Sequence, residues 1–281
     1  MKLTQRYTKN LDNTQKLSNF IPEMEVSKSK IKLYASLAQK KNRDALGLFV
    51  AEGTKCVGET LGAFALEALI ALPEWLDEHG GMLRDLPKEA VYTASRLRME
   101  QLSSLSAFSP VAAVYRVPKT CLPTSDELSG RLTLVLDGVR DPGNMGTIMR
   151  IADWFGITHI VASRDTVDIF NPKTVQATMG AIARVKVCYT DLVPFLEENK
   201  HLRRYGTLLE GRSIYDTELD TSGLVIMGNE GSGISESVRR LVDSPLLIPP
   251  YPAGAETVES LNVAMATAIT VAEFRRRQII R

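Results

Sequence analysis

The stretch Leu132-Thr-Leu-Val-Leu136, followed directly by Asp137-Gly-Val-Arg-Asp-Pro-Gly-Asn-Met-Gly146, decides how this chain is read. Its first five residues form a nearly continuous apolar run, the mark of a strand buried on both faces. A loop rich in glycine, proline and polar groups follows, and then a helix from about Asn144 to Phe155. The next apolar strand lies at His159–Ala162. Further strands are expected near Val185–Cys188, Arg204–Leu208 and Leu224–Met227, with a short one at Leu246–Ile248. A helix from about Val258 to Ile280 closes the chain. Buried strands alternating with helices predict an α/β fold with a parallel sheet covered on both faces. Ligand sites in such sheets lie beyond the carboxyl ends of the strands.

Three polar segments fall at those ends. The first is the loop just quoted, with Arg150 further along the helix. Asn144 suits a helix N-cap. Arg150 can point back toward the loop or form a surface salt bridge. The second is Met227-Gly-Asn-Glu-Gly-Ser-Gly-Ile-Ser235, where an acidic residue sits among glycines that permit close backbone approach to a ligand. Its spacing is not G-x-G-x-x-G, and no Gly-Lys-Ser/Thr follows, so a dinucleotide site or phosphate loop is disfavoured. The third runs from Ile248-Pro-Pro-Tyr-Pro252 to Ser260-Leu-Asn-Val263. Ser260 and Asn262 stand where a helix would need caps.

Upstream, residues 1–20 read as a polar flexible extension. From Ser27 the pattern is helical, with Ile31, Leu33, Tyr34, Leu37 and Ala38 on one face. A strand, Leu48-Phe-Val-Ala51, is closed by Glu52-Gly53. Strand and helix signals then alternate to Val111-Ala-Ala-Val-Tyr115, giving a small α/β unit over 21–118. Residues 119–130 read as a linker and residues 131–281 as the second domain.

With 44% hydrophobic and 24% charged residues, the composition is that of a soluble globular protein. There is no membrane-length apolar run and no secretory leader. Cys56, Cys121 and Cys188 are scattered without metal-ligand spacing, as are His79, His159 and His201. Zinc chemistry and histidine-based hydrolysis are therefore unsupported, no metal is expected, and reduced thiols point to the cytoplasm. The net charge is +1, yet residues 1–50 carry ten Lys/Arg against four Asp/Glu, and the chain ends with Arg275, Arg276, Arg277 and Arg281. Such clusters suit phosphate backbones, or simply form solvated faces.

Taken together, Asn144-x-Gly146-x-x-x-Arg150, Gly228-Asn-Glu230-Gly231, and Ile248-Pro with Ser260-Leu-Asn262-Val263 resemble the three signature motifs of the SpoU/TrmH family. These are RNA ribose 2′-O-methyltransferases of the SPOUT superfamily. The likeness covers about residues 131–281. Lys41-Asn-Arg43 with Phe49-Val-Ala-Glu52-Gly53 resembles the substrate-binding domain of the family's ribosomal RNA branch.

The resemblance implies a deep trefoil knot in the C-terminal domain, S-adenosylmethionine as cofactor, and a homodimer acting on structured RNA, with ribosomal RNA preferred to transfer RNA. It places Thr207, Gly228, Gly231, Ile248 and Leu261 around the cofactor, and Arg150, Asn144, Glu230, Ser260 and Asn262 in the catalytic site. The small N-terminal domain then binds RNA, with Lys28, Lys30, Lys32, Lys40, Lys41 and Arg43 as candidate phosphate contacts. Departures from the family pattern are the stiffened loop at Pro250-Tyr-Pro252 and Ala264 in place of a serine. A transfer RNA ribose methyltransferase and a non-catalytic RNA-binding protein with a vestigial site are the alternatives. A Rossmann-type methyltransferase is a poorer fit, because its glycine motif is missing.

Overall fold

The computed structural model describes residues 24–252, 256 and 258–279, so the extension expected over 1–20 lies outside the described residues. The N-terminal half builds a four-stranded sheet from β1 (Leu48–Glu52), β2 (Leu66–Ala71), β3 (Val91–Thr93) and β4 (Val111–Arg116) in the order β1-β4-β2-β3. Strand β4 runs antiparallel to β1 and β2, while β3 runs parallel to β2. Around it lie α1 (Lys28–Ala35), α2 (Lys40–Leu46), α3 (Thr54–Thr60), α4 (Pro73–Glu78), α5 (Gly80–Leu83) and α6 (Arg96–Leu102).

Alternate residues of this sheet serve different cores, as the period of two requires. Leu48, Val50, Ala68, Ile70, Ala112 and Val114 pack with Ile31, Tyr34, Leu37, Met99 and Leu102. Leu33 is exposed instead of facing that core. Helix α1 is short, and only Ile31 and Tyr34, three residues apart, fall on its inner face.

The C-terminal half holds β5 (Leu132–Leu136), β6 (His159–Ser163), β7 (Lys186–Thr190), β8 (Arg204–Ser213), β9 (Gly223–Met227) and β10 (Ser244–Leu247). They form a wholly parallel sheet in the order β10-β8-β9-β5-β6-β7. Every residue of β5, β6 and β9 is buried, which is why they read as unbroken apolar runs. Its helices are α7 (Ser125–Leu128), α8 (Pro142–Trp154), α9 (Pro172–Thr178), α10 (Leu192–Glu198), α11 (Glu236–Arg239) and α12 (Val263–Ile279). No helix among the described residues is long and apolar enough to cross a membrane.

Three element boundaries differ from the sequence reading. The segment expected to be pure linker contains α7, because Thr124 and Glu127 cap each other's backbone and Leu128 is buried. Helix α8 starts at Pro142, since Asp141 and not Asn144 is its N-cap. Helix α12 starts at Val263 and not near Val258, because Asn262 Oδ1 accepts from the backbone N–H of Ala264 (2.9 Å) and Met265 (3.3 Å).

The two halves meet across a common apolar core. Phe49, Ala51, Leu69, Ala113 and Tyr115 join the cluster that also holds Leu134, Ile148, Val175 and Phe274. Phe49 packs on Phe170 with ring centroids 4.6 Å apart. Beside it Arg43 is bound to Asp168 at 2.7 Å. Helix α12 is docked along its length. Phe274 meets Tyr205 edge-on at 4.9 Å. Arg277 donates to the carbonyls of Ile214, Tyr215 and Thr217, and Gln278 Nε2 to that of Thr221 (2.8 Å). Buried Glu273 is held below the usual carboxylate range by hydrogen bonds from Arg276 and then Arg277.

Candidate functional site

Beyond the carboxyl ends of β5, β9 and β10, one line of hydrogen bonds joins all three polar segments. Asn262 Nδ2 donates to Asn144 Oδ1 at 2.9 Å, and Asn144 Nδ2 donates to Glu230 Oε1 at 2.9 Å. The direction is fixed at one end. Asn262 Oδ1 is occupied by the first N–H groups of α12, so its NH₂ must face Asn144. The Asn144 oxygen then meets that NH₂, leaving its own NH₂ for the carboxylate. Asn144 is therefore no cap. It sits one turn inside α8, where Asp141 Oδ1 takes its backbone N–H at 2.7 Å.

The second segment is folded on itself. Asn229 and Gly233 exchange backbone hydrogen bonds. Asn229 Oδ1 accepts from the N–H of Gly231 (2.9 Å) and Ser232 (3.1 Å), while its Nδ2 reaches the Gly138 carbonyl (2.6 Å). Asp137 Oδ2 accepts from the Ser235 N–H at 2.7 Å. Gly138 N–H donates to Ser163 Oγ (2.8 Å), whose hydroxyl donates to Asp165 Oδ1 (2.7 Å). That bond, helped by Arg140, holds Asp165 below the usual carboxylate range. Asp137, Asp141 and Asn229 were not singled out from sequence, although each lies inside a quoted motif. Their signal was proximity to the motif residues and nothing more specific.

At Gly228 an added Cβ would lie 2.2 Å from the Gly233 carbonyl carbon and 2.3 Å from the Ile234 nitrogen. Both are backbone atoms, so the loop cannot yield without breaking the Asn229–Gly233 pair. Gly228→Ala is expected to destabilise the fold by roughly 1–3 kcal/mol, read as a lowered Tm in thermal unfolding.

The other expected site residues fall in different places. Thr207 on β8 is half-buried, with Oγ1 3.4 Å from the Ile226 carbonyl. Ile248 is half-buried against the core, Leu261 is 48% exposed, and Gly231 is exposed. Ser260 is exposed and takes no part in the Asn144 network. Arg150 is not brought to it either. Six residues along a helix is one and two-thirds turns, so Arg150 faces away from Asn144. It is exposed, with neither the expected salt bridge nor a hydrogen bond among the described residues, and it lines a groove with Thr147, Trp154, Lys55 and Arg184.

Of the candidate phosphate contacts, Lys28, Lys32 and Lys41 are exposed. Lys40 pairs with Asp44 at 2.8 Å in an exposed i,i+4 bridge. Lys30 is half-buried over the Tyr92 ring and donates to its hydroxyl. Arg43 is corrected by the structure. It is 3% exposed, and four of its five N–H donors go to Asp168 and to the carbonyls of Leu37 (2.8 Å) and Ala38 (3.0 Å), so it is buried away from any phosphate on the surface.

Comparison with known proteins finds relatives of both halves. A model of the SpoU rRNA methylase family matches residues 131–272, and a model of an MRM3-like substrate binding domain matches residues 28–113. The chain is 30% identical to the Bacillus subtilis 23S rRNA (guanosine(2553)-2′-O)-methyltransferase RlmP, over 88% of this chain and 96% of the relative. Among solved structures, a proposed RNA methyltransferase of the TrmH family from Porphyromonas gingivalis superposes with a TM-score of 0.78 at 37% identity, covering 90% of this chain and 99% of that one. An AdoMet-bound rRNA methyltransferase from Sinorhizobium meliloti gives 0.76 at 26% identity, covering 90% and 97%.

Proposed function

Because the chain belongs to the SpoU rRNA methylase family, we propose that it transfers a methyl group from S-adenosylmethionine to a ribose 2′-hydroxyl of structured RNA, ribosomal RNA in preference to transfer RNA. The observation that carries this is the Asn262–Asn144–Glu230 line, which joins polar groups from three sequence-distant segments that follow strands of one parallel sheet. The named relatives, one an rRNA 2′-O-methyltransferase and one solved with AdoMet, support the substrate and the cofactor.

The strand ends suit that cofactor chemically. Strands β10, β8 and β9 are neighbours; β8 carries the Thr207 hydroxyl, and the segments after β10 and β9 carry apolar Ile248 and Leu261 and the backbone of Gly228 and Gly231. An adenine face against the apolar side chains and polar edges against hydroxyl and backbone match this set. These five residues would hold the group, which when bound supplies a methyl on a positively charged sulfur.

The remaining work falls to the chain. The ribose must be fixed with its hydroxyl in line, and positioning of this kind supplies much of an enzyme's acceleration. Glu230 Oε1 is committed to Asn144, and its Oε2 has only a long 3.4 Å contact with Asn229. Oε2 is thus left to accept from a ribose hydroxyl. Asn262 is joined to it through Asn144, and exposed Ser260 two residues earlier is free to meet the same substrate. Arg150 is unsuited to be a base, since a guanidinium carries N–H donors and no acceptor for a proton. Facing away from the Asn144 line, it has the role of gripping phosphate of the RNA. Arg150→Lys should keep the charge, lose the bidentate grip and slow methyl transfer by about tenfold to a hundredfold. Nearly full rate with unchanged RNA affinity would remove this role.

Two features of assembly belong to the same reading. The C-terminal segment threads through a loop as a trefoil knot, supported by the hydrogen bonds from Arg277 and Gln278 to residues 214–221. The chain forms a homodimer in the cytoplasm. Exposed Met265 and Ile279, with Ala268, Ile269 and Ala272 on α12, support the first, and three free cysteines support the second. In vitro methylation of total RNA from a deletion strain, with mapping of the restored 2′-O-methyl position, tests the function directly. Restoration of a base methyl, or of nothing, would reject it.

A further inference from the structure

A groove of about 500 Å³ lies where the two halves meet. Lys55 and Glu59 on α3 form one side, and Thr147, Arg150 and Trp154 on α8 form the other. Its charges are sorted. Arg184 holds both of its acids, donating from Nε and Nη2 to Asp153 at 2.8 to 3.0 Å and from Nη1 to Glu59 at 2.7 Å. Lys55 and Arg150 are exposed and make no ion pair among the described residues. The groove therefore shows solvent two free cations and no free carboxylate. The indole of Trp154 is 77% exposed beside them. The halves are locked close here, since a Cβ on Gly180 would lie 2.3 Å from that of Glu59. Lys55 thus has a fixed place relative to Arg150.

We infer that this groove seats the RNA backbone, with phosphate drawn between Lys55 and Arg150, and that Arg184 is a positioning residue which keeps Glu59 and Asp153 turned away from it. The inference rests on the methyltransferase reading above and adds Lys55, Arg184 and Trp154 to it. Free cations with paired acids are complementary to a polyanion. An exposed indole next to a phosphate track is a stacking surface for an unpaired base.

The test is direct binding of a short, labelled, mixed-sequence RNA oligonucleotide to the full chain, without turnover, across a salt series. Lys55→Glu alters an exposed side chain with no partner to lose. It should weaken binding by about tenfold and flatten the log–log salt dependence by about one unit for the lost phosphate contact. Arg184→Met should weaken binding comparably by freeing two carboxylates. Adding Glu59→Gln and Asp153→Asn to it should restore affinity, which a merely structural arginine would not allow. Trp75 is buried, so quenching of the exposed Trp154 on RNA addition reports occupancy of the groove itself. Unchanged affinity and salt slope in Lys55→Glu overturn the inference, as does a shift in sedimentation with RNA binding intact, which would assign the groove to a second copy. Calorimetry with S-adenosylmethionine keeps the two readings apart. A wild-type chain that binds neither cofactor nor RNA fails the methyltransferase reading, whereas one that methylates RNA while Lys55→Glu behaves as wild type fails only the groove.

Discussion

Replacing Asn144 by aspartate is expected to slow methyl transfer at neutral pH by about a hundredfold or more, and to return part of the lost rate as the pH falls. The carboxamide of Asn144 donates to Glu230 and accepts from Asn262, both at 2.9 Å. An aspartate keeps the acceptor and loses the donor. It also sets a second carboxylate against Glu230 Oε1. Two carboxylates at that distance cannot both remain ionised, so one proton is shared and its pKa rises. Above that raised pKa the pair repels, and the loop carrying Glu230 is pushed off the ribose. Below it, the introduced carboxyl group is protonated and restores an O–H donor where the NH₂ stood.

The loss of a hydrogen bond to a charged group, about 1.5–3 kcal/mol, corresponds to about tenfold to a hundredfold in rate, and the repulsion adds to it. Paired pH–rate profiles of wild type and Asn144→Asp decide the matter. Asn144→Ala should lose as much rate and gain none back in acid, which separates repulsion from simple absence of the side chain. Wild-type rate in Asn144→Asp at neutral pH would show that the line joining the three motifs is not needed.

Removal of Arg43 is expected to cost stability and to spare RNA binding. Arg43→Met leaves Asp168, only 16% exposed, with the Phe170 N–H but no cation, and strands the carbonyls of Leu37 and Ala38. Removing one partner of a buried pair costs about 3–5 kcal/mol. With Asp168 partly wet, the lower end applies, and the melting temperature should fall by roughly 6–12 °C. Arg43→Met combined with Asp168→Asn should recover part of that, because no charge is then left unpaired and the Phe170 N–H keeps its acceptor, while the two carbonyls stay stranded. RNA affinity, measured well below the transition, should change less than about twofold. Weakened RNA binding with no change in melting temperature would return Arg43 to the phosphate-contacting set.

Arg43 also shows where the order of residues stops being informative. In sequence it is one of a run of cations, Lys40, Lys41 and Arg43, indistinguishable in kind. Its burial follows from helix α2 ending against β1 and from Asp168, which lies far along the chain. Arg150 departs from expectation for a related reason. Six residues of helix already turn it away from Asn144, but what it faces instead, the α3 side of the groove, is set by packing between the halves. The groove between the halves is not legible in the sequence at all, since Lys55, Glu59, Asp153 and Arg184 carry no motif and meet only through packing.

The α/β class, the parallel C-terminal sheet and the three polar loops at its strand ends follow from the amino-acid order alone. Those properties are local: a strand buried on both faces must be apolar throughout, and a loop that folds as tightly as Gly228–Gly233 must contain glycine. It takes the folded chain to show that the Asn262, Asn144 and Glu230 side chains form one directed line, that the two halves share a core, and that Arg150 faces Lys55 across a groove. Those properties depend on distances between residues far apart in the chain, which composition, periodicity and spacing do not encode.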